Sequence, residues 1–289
     1  MNLNRISLRL TCAALTLLSF RPALAGDLVM GLIPAENNED MIKHFEPMRA
    51  YLEKKVGQHI KVFTATDYTG VIEAMRKKRV DVAFFGPLSY CLAEQEAGAE
   101  AFAVGVLKNG KSTYRSIFIV PGDSPIKSLK DLKGKSVAFV DPVSTSGCLM
   151  PTFMVKRETG QMPEQFFGKF TFAGSHDAAE LAVKNRTVDA AADNDITYAA
   201  MLAKGLITEQ SNRVLAESPD LPGSPLAYRK DLPADLKTRI REAIITAHKE
   251  INVSGYGNLI RYDATGPADY QMVRDLAKTL GLTKEQMLK

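Results

Sequence analysis

Three hydroxyl side chains follow a short apolar strand near the middle of the chain and come just before a predicted helix. The segment 141–147 reads DPVSTSG and contains Ser144, Thr145 and Ser146. The first backbone N–H groups of a helix lack partners inside the helix and carry partial positive charge. Neutral donors at this point can therefore hold an oxyanion without Lys or Arg. Because Ser and Thr also cap helices, the segment predicts either an anion site or a simple N-cap.

A histidine and a tyrosine occupy comparable positions, each at a predicted strand-to-helix junction. His176 lies in a GSHD segment and Tyr68 in a DYTG segment. In open α/β sheets, ligands bind beyond the carboxyl ends of the strands, where such junctions meet. Asp193 and Asp195 follow the predicted strand 188–192. Either acid could accept from a hydroxyl, orient the histidine or cap the next helix.

Ser146, His176 and Asp195 could also form the nucleophilic triad of an exported hydrolase. No G-x-S-x-G segment accompanies Ser146, and a triad is defined by a geometry that a sequence does not show. The sequence also lacks G-x-G-x-x-G, G-x-x-x-x-G-K-[ST], H-E-x-x-H and paired C-x-x-C motifs, which are typical of dinucleotide, nucleotide and zinc sites. We therefore expect binding without a reaction, no catalytic residue, no cofactor and no metal.

The elements that must position these residues alternate between strands and helices. Apolar spacing predicts repeated β-α-β units, which indicates an α/β fold with largely parallel sheets. The predicted strands are 28–33, 60–63, 80–85, 112–121, 136–140, 170–172 and 188–192, the predicted helices are 41–56, 71–79, 149–159, 178–184, 235–251 and 268–288, and the proline-rich return segment 213–229 is predicted to be irregular.

A helix that ends in Val-Asp-x-Ala occurs twice, at Val80 and again at Val188. The two segments are 108 residues apart, and the same offset aligns Tyr68 with His176, each at the start of a predicted helix. Repeats of this kind indicate that one supersecondary unit has been used twice. The chain is therefore predicted to contain two similar α/β lobes.

The repeat also suggests where each lobe begins and ends. Lobe 1 is predicted to comprise 26–119 and 215–289, and lobe 2 is an insertion at 120–214, so that two crossing segments form a hinge. Lobes of this size agree with usual domain sizes. Cys91 and Cys148 fall in different lobes. Because a bridge between lobes would oppose a hinge, we predict that these cysteines are not paired.

The first 25 residues have the pattern of a secretory signal: Arg5 and Arg9, an apolar run at 10–20, and ALA at 23–25. This segment holds three of the chain's 37 basic residues and none of its 33 acidic residues, so the rest of the chain is nearly neutral. That balance argues against a nucleic-acid partner. No later stretch approaches the roughly 20 apolar residues of a membrane span. We expect cleavage after Ala25 and export.

Four segments form a specific set: DYTG at 67–70, VDVAFFGPLS at 80–89, DPVSTSG at 141–147 and GSHD at 174–177. Together they resemble the phosphonate-, phosphite- and hypophosphite-binding proteins of ABC transporters, over nearly the whole chain after the signal. The resemblance implies a two-lobed α/β receptor of the type II periplasmic binding-protein architecture. It implies a monomer in the periplasm that closes on its ligand and delivers it to a membrane permease with its ATPase.

The resemblance also implies which residues contact the ligand. Two further candidates are Phe85 and Asp195. Phe85 could form a wall of the pocket with other aromatic side chains, or it could belong to the core. The family's contacts correspond here to Tyr68, Tyr114, Ser144, Thr145, Ser146 and His176.

Two positions depart from the family's aminoethylphosphonate binder, which has acids where this chain has Ile196 and Ser224. An ammonium group buried there would lack a counter-charge, at a cost of several kcal/mol. We therefore expect a small phosphorus oxyanion, hypophosphite first and phosphite second, with a phosphonate receptor of the same fold as the alternative.

Overall fold

A computed structural model describes residues 26–283 and Met287. The predicted signal at 1–25 lies outside the described residues. In the described part of the chain, no helix is long and apolar enough to cross a membrane.

Strands and helices alternate in the β-α-β units of both lobes, as predicted, whereas segments 99–120 and 213–229 each contain three consecutive strands. The strands are β1 Leu28–Leu32, β2 Ile60–Thr64, β3 Val82–Phe84, β4 Ala99–Leu107, β5 Thr113–Tyr114, β6 Ser116–Val120, β7 Ser136–Phe139, β8 Lys169–Phe172, β9 Ala190–Asn194, β10 Arg213–Glu217, β11 Leu221–Pro222, β12 Pro225–Arg229 and β13 Leu259–Ala264. The helices are α1 Asn38–Val56, α2 Tyr68–Arg76, α3 Pro87–Ala97, α4 Met150–Thr159, α5 Pro163–Phe166, α6 His176–Lys184, α7 Asp195–Ala203, α8 Ala234–Thr246 and α9 Gln271–Thr279. Thr145–Leu149 forms a π-helical turn, and the 3₁₀ turns are Leu129–Leu132, Ala247–Lys249 and Pro267–Tyr270.

Two sheets carry the fold, each at the centre of one lobe. The sheet of lobe 1 has the strand order β13-β4-β12-β3-β1-β2, and the sheet of lobe 2 has the order β10-β6-β9-β7-β8. β1 pairs in parallel with β2 and β3, and β7 pairs in parallel with β8 and β9. The other pairs within the two sheets are antiparallel. The prediction of largely parallel sheets is therefore wrong, because the crossing strands run opposite to the β-α-β units.

The internal repeat is confirmed by matching hydrogen bonds in the two sheets. Asp81 Oδ2 accepts from Val29 N at 2.8 Å, and Asp189 Oδ2 accepts from Ser136 N at 2.8 Å. Three residues before each aspartate, the backbone is left-handed, with φ of 57° at Lys78 and 56° at Arg186. Each Val-Asp-x-Ala segment thus ties the end of a helix to the first strand of its own β-α-β unit.

The two crossing segments pair with each other between the sheets. β5 and β11 form an antiparallel ribbon, in which Tyr114 is opposite Leu221. The sheet of lobe 2 includes β6 and β10, so it extends beyond the predicted segment 120–214 at both ends. The exact lobe boundaries remain a prediction. The return segment, predicted to be irregular, forms the strands β10, β11 and β12 because its backbone groups pair with both sheets and with β5.

The C-terminal helix is shorter than the predicted 268–288, because a 3₁₀ turn precedes α9 and α9 ends at Thr279. Of the remaining residues of this prediction, 284–286 and 288 lie outside the described part, and Met287 is helical. Cys91, in α3, and Cys148, in the π-helical turn, are both free. The prediction that they are unpaired is confirmed.

Candidate functional site

A small cavity lies where the two lobes meet. Its volume is about 10 Å³, which is room for the centre of roughly one water-sized sphere. Among the residues that the structure describes, no Lys, Arg, Asp or Glu lines it. Lobe 1 and the crossing segments contribute Ile33, Ala35, Tyr68, Phe84, Gly86, Tyr114, Ser224 and Tyr256, and lobe 2 contributes Ser144, Thr145, Ser146, His176 and Asn194.

Most of the residues predicted from the sequence meet at this cavity, although they come from distant parts of the chain. They are buried, at 5% exposure or less. Whether they contact a ligand remains a prediction. The lining includes Tyr68, Tyr114, Ser144, Thr145, Ser146 and His176.

Two of the candidate residues lie outside the lining. Phe85 is fully buried in the core, and its backbone N–H donates to Pro225 O at 3.0 Å. Asp195 Oδ1 accepts from Arg115 N at 3.0 Å, and Asp195 N donates to Arg115 O at 3.1 Å. Because its carboxylate is held by the crossing segment, Asp195 joins α7 to the hinge rather than facing the cavity. The triad of Ser146, His176 and Asp195 is therefore not assembled.

Several helices begin at the cavity. α2 starts at Tyr68, α3 at Pro87, α6 at His176, and the π-helical turn at Thr145. α7 starts beside the cavity, directly after the lining residue Asn194. Helix N-termini carry partial positive charge, which remains although Tyr68 N, Leu88 N and His176 N already donate to other protein groups here. Their convergence makes the cavity suitable for an anion without a basic side chain.

The π-helical turn requires a glycine at its third residue. Gly147 N donates to Ser144 Oγ at 3.0 Å, and Gly147 O accepts from Val140 N at 2.9 Å. A Cβ at this position would lie 2.4 Å from the Val140 side chain. The glycine therefore lets the helix start pack directly against the end of β7.

The hydroxyls of the helix start have a capping role and remain free to donate. Ser144 Oγ caps the turn by accepting from Gly147 N, and Thr145 Oγ1 accepts from Leu88 N of lobe 1 at 2.7 Å. A hydroxyl that accepts one hydrogen bond still has its own hydrogen to donate. The capping and anion-binding interpretations are therefore compatible at Ser144, and Thr145 also links the lobes.

Two tyrosine hydroxyls complete the set of donors. Burial raises the pKa of Tyr68 well above its ordinary value and that of Tyr114 to about 12. The Tyr68 hydroxyl interacts with Ser144, and the Tyr114 hydroxyl with Ser146 and Thr145. Both tyrosines stay protonated at neutral pH, so each can donate to an oxyanion.

His176 is held from behind by buried polar groups. Its Nδ1 contacts Asp193 Oδ1 and lies 2.9 Å from Asn194 Nδ2. Burial lowers the pKa of His176 to about 4, although several acids nearby act in the opposite direction. The ring is therefore neutral at physiological pH. The suggestion from the sequence that Asp193 could orient His176 is confirmed by this contact.

Sequence reasoning missed three residues around the site. Asn194 donates to Tyr256 OH at 2.9 Å, and Glu180 is fully buried behind Asp193. Tyr256 comes from a loop far away in the sequence and carries no motif. Glu180 did carry a signal, since it is an acid on the apolar face of α6.

Ile196 and Ser224, the positions that lack acids, lie next to the cavity. Both line an adjoining cavity of about 30 Å³, and Ser224 lines the first cavity as well. No charged residue of the described chain lines this second cavity. Phe84, Tyr114 and Tyr256 also line both cavities.

Comparisons with known proteins agree with this arrangement. The family model described as "ABC transporter, phosphonate, periplasmic substrate-binding protein" matches residues 30–273. The "Phosphonates-binding periplasmic protein" of Escherichia coli is 35% identical over 217 residues, which are 74% of this chain but only 64% of that protein. The "Phosphate-import protein PhnD" of Mycolicibacterium smegmatis is 33% identical over 224 residues, covering 74% of this chain and 70% of that protein.

Solved structures share the fold. A binding-protein component of an ABC phosphonate transporter from Pseudomonas aeruginosa has a TM-score of 0.79 at 26% identity, covering 91% of this chain and 92% of that one. PhnD1 from Prochlorococcus marinus, solved with methylphosphonate, also has a TM-score of 0.79, at 22% identity, covering 89% and 99%. The predicted two-lobed α/β architecture is therefore confirmed.

Proposed function

Because this chain belongs to the family of periplasmic substrate-binding proteins of ABC phosphonate transporters, we propose that it is the receptor of an importer. It captures a small phosphorus oxyanion between its two lobes, as a monomer in the periplasm after signal cleavage. It then delivers the ion to a membrane permease with its ATPase.

The observation that carries this proposal is the small cavity lined by neutral donors. Helix N-termini, hydroxyls and one imidazole surround about 10 Å³ of space, and no cation of the described chain lines it. An anion is stabilised there by N–H and O–H groups, and its size is limited by the walls. A bulky or cationic solute does not match either property.

Within this class, hypophosphite ranks first and phosphite second. Ile33, Ala35 and Phe84 supply apolar surface to the lining. P–H bonds need no hydrogen-bond partner and can pack against such surface, whereas the additional oxygens of phosphate would be left unpaired there. Relatives of this chain are named for phosphonates, phosphate and phosphite, which have a phosphorus oxyanion in common.

The adjoining cavity favours one alternative, a phosphonate with a neutral substituent. Its space of about 30 Å³ borders the oxyanion cavity at Ser224 and could take a short group on phosphorus. An aminoalkyl group is disfavoured, because Ile196 and Ser224 offer no carboxylate to its ammonium. A hydrolase is disfavoured as well, because Asp195 does not reach His176.

Isothermal titration calorimetry and thermal shift with hypophosphite, phosphite, phosphate, methylphosphonate and 2-aminoethylphosphonate test the proposal. A bound ligand stabilises the fold in proportion to RT ln(1 + [L]/Kd). We expect the largest shift with hypophosphite, then phosphite, and no turnover of a chromogenic phosphate ester. Tightest binding of methylphosphonate would favour the alternative, and no shift with any of the five ions would contradict the proposed function.

A further inference from the structure

Behind His176, a chain of buried polar side chains runs away from the cavity. Asp193 and Glu180 are both fully buried. Asn212 Nδ2 donates to Glu180 Oε2 at 2.5 Å, and the Glu180 carboxyl interacts with that of Asp193. Asp193 Oδ1 then contacts His176 Nδ1. The carboxyl groups of Asp193 and Glu180 therefore lie one behind the other, on the side of the imidazole that faces away from the cavity.

The orientation of Asn194 determines which nitrogen of His176 carries the proton. Asn194 Oδ1 accepts from Thr197 N at 2.9 Å, so the other atom of the amide must be the NH₂ group. This NH₂ lies 2.9 Å from His176 Nδ1 and 2.9 Å from Tyr256 OH. Asp193 Oδ1 and Thr197 Oγ1 lie farther from this NH₂, at 3.4 Å each, so its two hydrogens point to Tyr256 OH and to a lone pair on Nδ1. In the neutral ring, the proton is then on Nε2.

The same reasoning places protons on both carboxyls. An acceptor at Nδ1 would repel an ionised carboxylate, so Asp193 Oδ1 lies against it as an O–H donor that shares the Nδ1 lone pair with Asn194. Asp193 Oδ2 and Glu180 Oε1 are buried and have no N–H or O–H partner of another residue. A proton on Glu180 Oε1 that is donated to Asp193 Oδ2 satisfies both atoms at once.

We propose that Glu180 and Asp193 are positioning residues, both protonated, whose hydrogen bonds hold His176 as the Nε2–H tautomer that donates to the ligand oxyanion. The donors run in one direction, from Asn212 to Glu180, Asp193, His176 and the ligand. No member of this series is charged, so none adds a buried negative charge beside an anion. The inference rests on the proposed function of the cavity as an oxyanion site.

The surroundings favour the neutral form of both carboxyls. Burial raises the pKa of Glu180 and that of Asp193, the latter to about 8. No Lys or Arg of the described chain is among the groups that face them. These groups are Asp177 from α6, Asp141 after β7, Glu36 after β1, Tyr68 from α2, Tyr198 from α7 and Tyr256.

The chain of hydrogen bonds predicts weaker binding at alkaline pH. When Asp193 loses its proton it becomes an acceptor, which favours a proton on Nδ1 and turns the lone pair of Nε2 toward the ligand. Hypophosphite is the suitable ligand, because its own charge does not change in this pH range. We expect its Kd to rise severalfold between pH 6 and pH 9.5, since binding requires a proton on Asp193, whose pKa is raised by burial into this range.

Two matched variants separate a positioning role from a structural one. The amide of Asp193→Asn can donate to Nδ1 and accept from Glu180 without titrating. This variant should bind within about threefold of the wild type at pH 6 and lose the alkaline weakening. Glu180→Gln keeps a donor to Asp193 and should retain the weakening. If D193N binds at pH 6 but weakens at alkaline pH as the wild type does, the proposal is wrong.

A second readout needs no ligand and is made on the wild-type protein, with one variant used only for assignment. ¹⁵N–¹H correlation spectra of the ligand-free protein at pH 6, assigned by loss of signal in His176→Gln, report the protonated nitrogen of His176. We expect Nε2 to carry the proton, and a proton on Nδ1 would overturn the inference. Failure of the wild type to bind hypophosphite would instead count against the proposed ligand and leave the tautomer result standing.

Discussion

At the scale of single residues, Thr145 combines two hydrogen bonds. Its Oγ1 accepts from Leu88 N across the lobes, and its own hydrogen, which faces the Tyr114 hydroxyl, can be donated to an oxyanion in the cavity. Thr145→Ala should weaken binding by about 1–3 kcal/mol, because a charge-assisted hydrogen bond to the ligand is lost. Calorimetry with the tightest-binding oxyanion of the panel measures the change.

Thr145→Ser is the matched control, since it keeps the hydroxyl and should bind nearly as the wild type does. The free energy of unfolding should change less than the binding energy, because Ser144 still caps the turn at Gly147 N. Equal dissociation constants for T145A and T145S would assign Thr145 to capping and lobe contact alone.

We expect selectivity to depend on two further residues, Ile196 and Ser224. Both line the adjoining cavity, where a substituent on phosphorus would lie. The double variant Ile196→Glu with Ser224→Asp should weaken hypophosphite or phosphite binding and improve the relative affinity for 2-aminoethylphosphonate. Both effects follow from charge interactions at short range. The measurement is the ratio of the two dissociation constants in one buffer.

Ile196→Gln with Ser224→Asn controls for size, because these side chains have similar volumes without the charge. A ratio that moves equally in both double variants would show that space, and not charge, decides selectivity. No movement in either would mean that these positions do not contact the ligand.

At the scale of elements, the repeated aspartates fasten each helix to its sheet. Asp189 Oδ2 accepts from Ser136 N and Ser136 Oγ, at 2.8 and 2.7 Å, at the start of β7. Asp189→Ala leaves this N–H unpaired and should lower the free energy of unfolding by about 1–2 kcal/mol. Urea unfolding at neutral pH tests this.

The same carboxylate predicts a dependence on acid. Burial raises the pKa of Asp189, but hydrogen bonds from Ser136 outweigh burial and hold it below 3.8. Its contribution is therefore present above about pH 4 and is lost as the pH falls through the lower folded value. Asp189→Ala should lose less stability than the wild type between pH 5 and pH 2.5. An identical acid dependence of the two proteins would rule out this role.

At the scale of the whole molecule, the lobes meet around the cavity through backbone groups. Tyr68 N donates to Asp141 Oδ2 at 3.2 Å, and His176 N donates to Ala35 O at 2.9 Å. A ligand that contacts both lobes interacts better with the closed arrangement and shifts the population toward it. We expect saturating ligand to reduce the radius of gyration in X-ray scattering, through rotation about the crossing segments.

An anion that gives no thermal shift serves as the control at the same concentration. Superimposable scattering profiles with and without the tight ligand would mean that the lobes are already closed before binding.

Local features of the site could be predicted from the sequence. The helix start at Ser144 and the junctions at Tyr68 and His176 depend on capping hydrogen bonds between residues close along the chain. Capping pairs, such as Ser144 with Gly147, involve residues three apart. For this reason, local patterns indicated the two similar lobes and the junctions that carry Tyr68, Ser144 and His176, whereas Tyr114 was indicated by the family resemblance alone.

The tertiary structure decided which of two nearby residues reaches the site, both for Phe84 and Phe85 and for Asp193 and Asp195. Phe84 lines it and Phe85 lies in the core, because successive residues of an extended chain point to opposite sides and an apolar pair does not indicate which side is which. Asp193 contacts His176 and Asp195 binds Arg115, because Asp195 already belongs to the next helix. Strand direction and the buried position of Glu180 behind Asp193 likewise depend on packing between segments far apart in the chain. The local spacing of residues does not predict such packing.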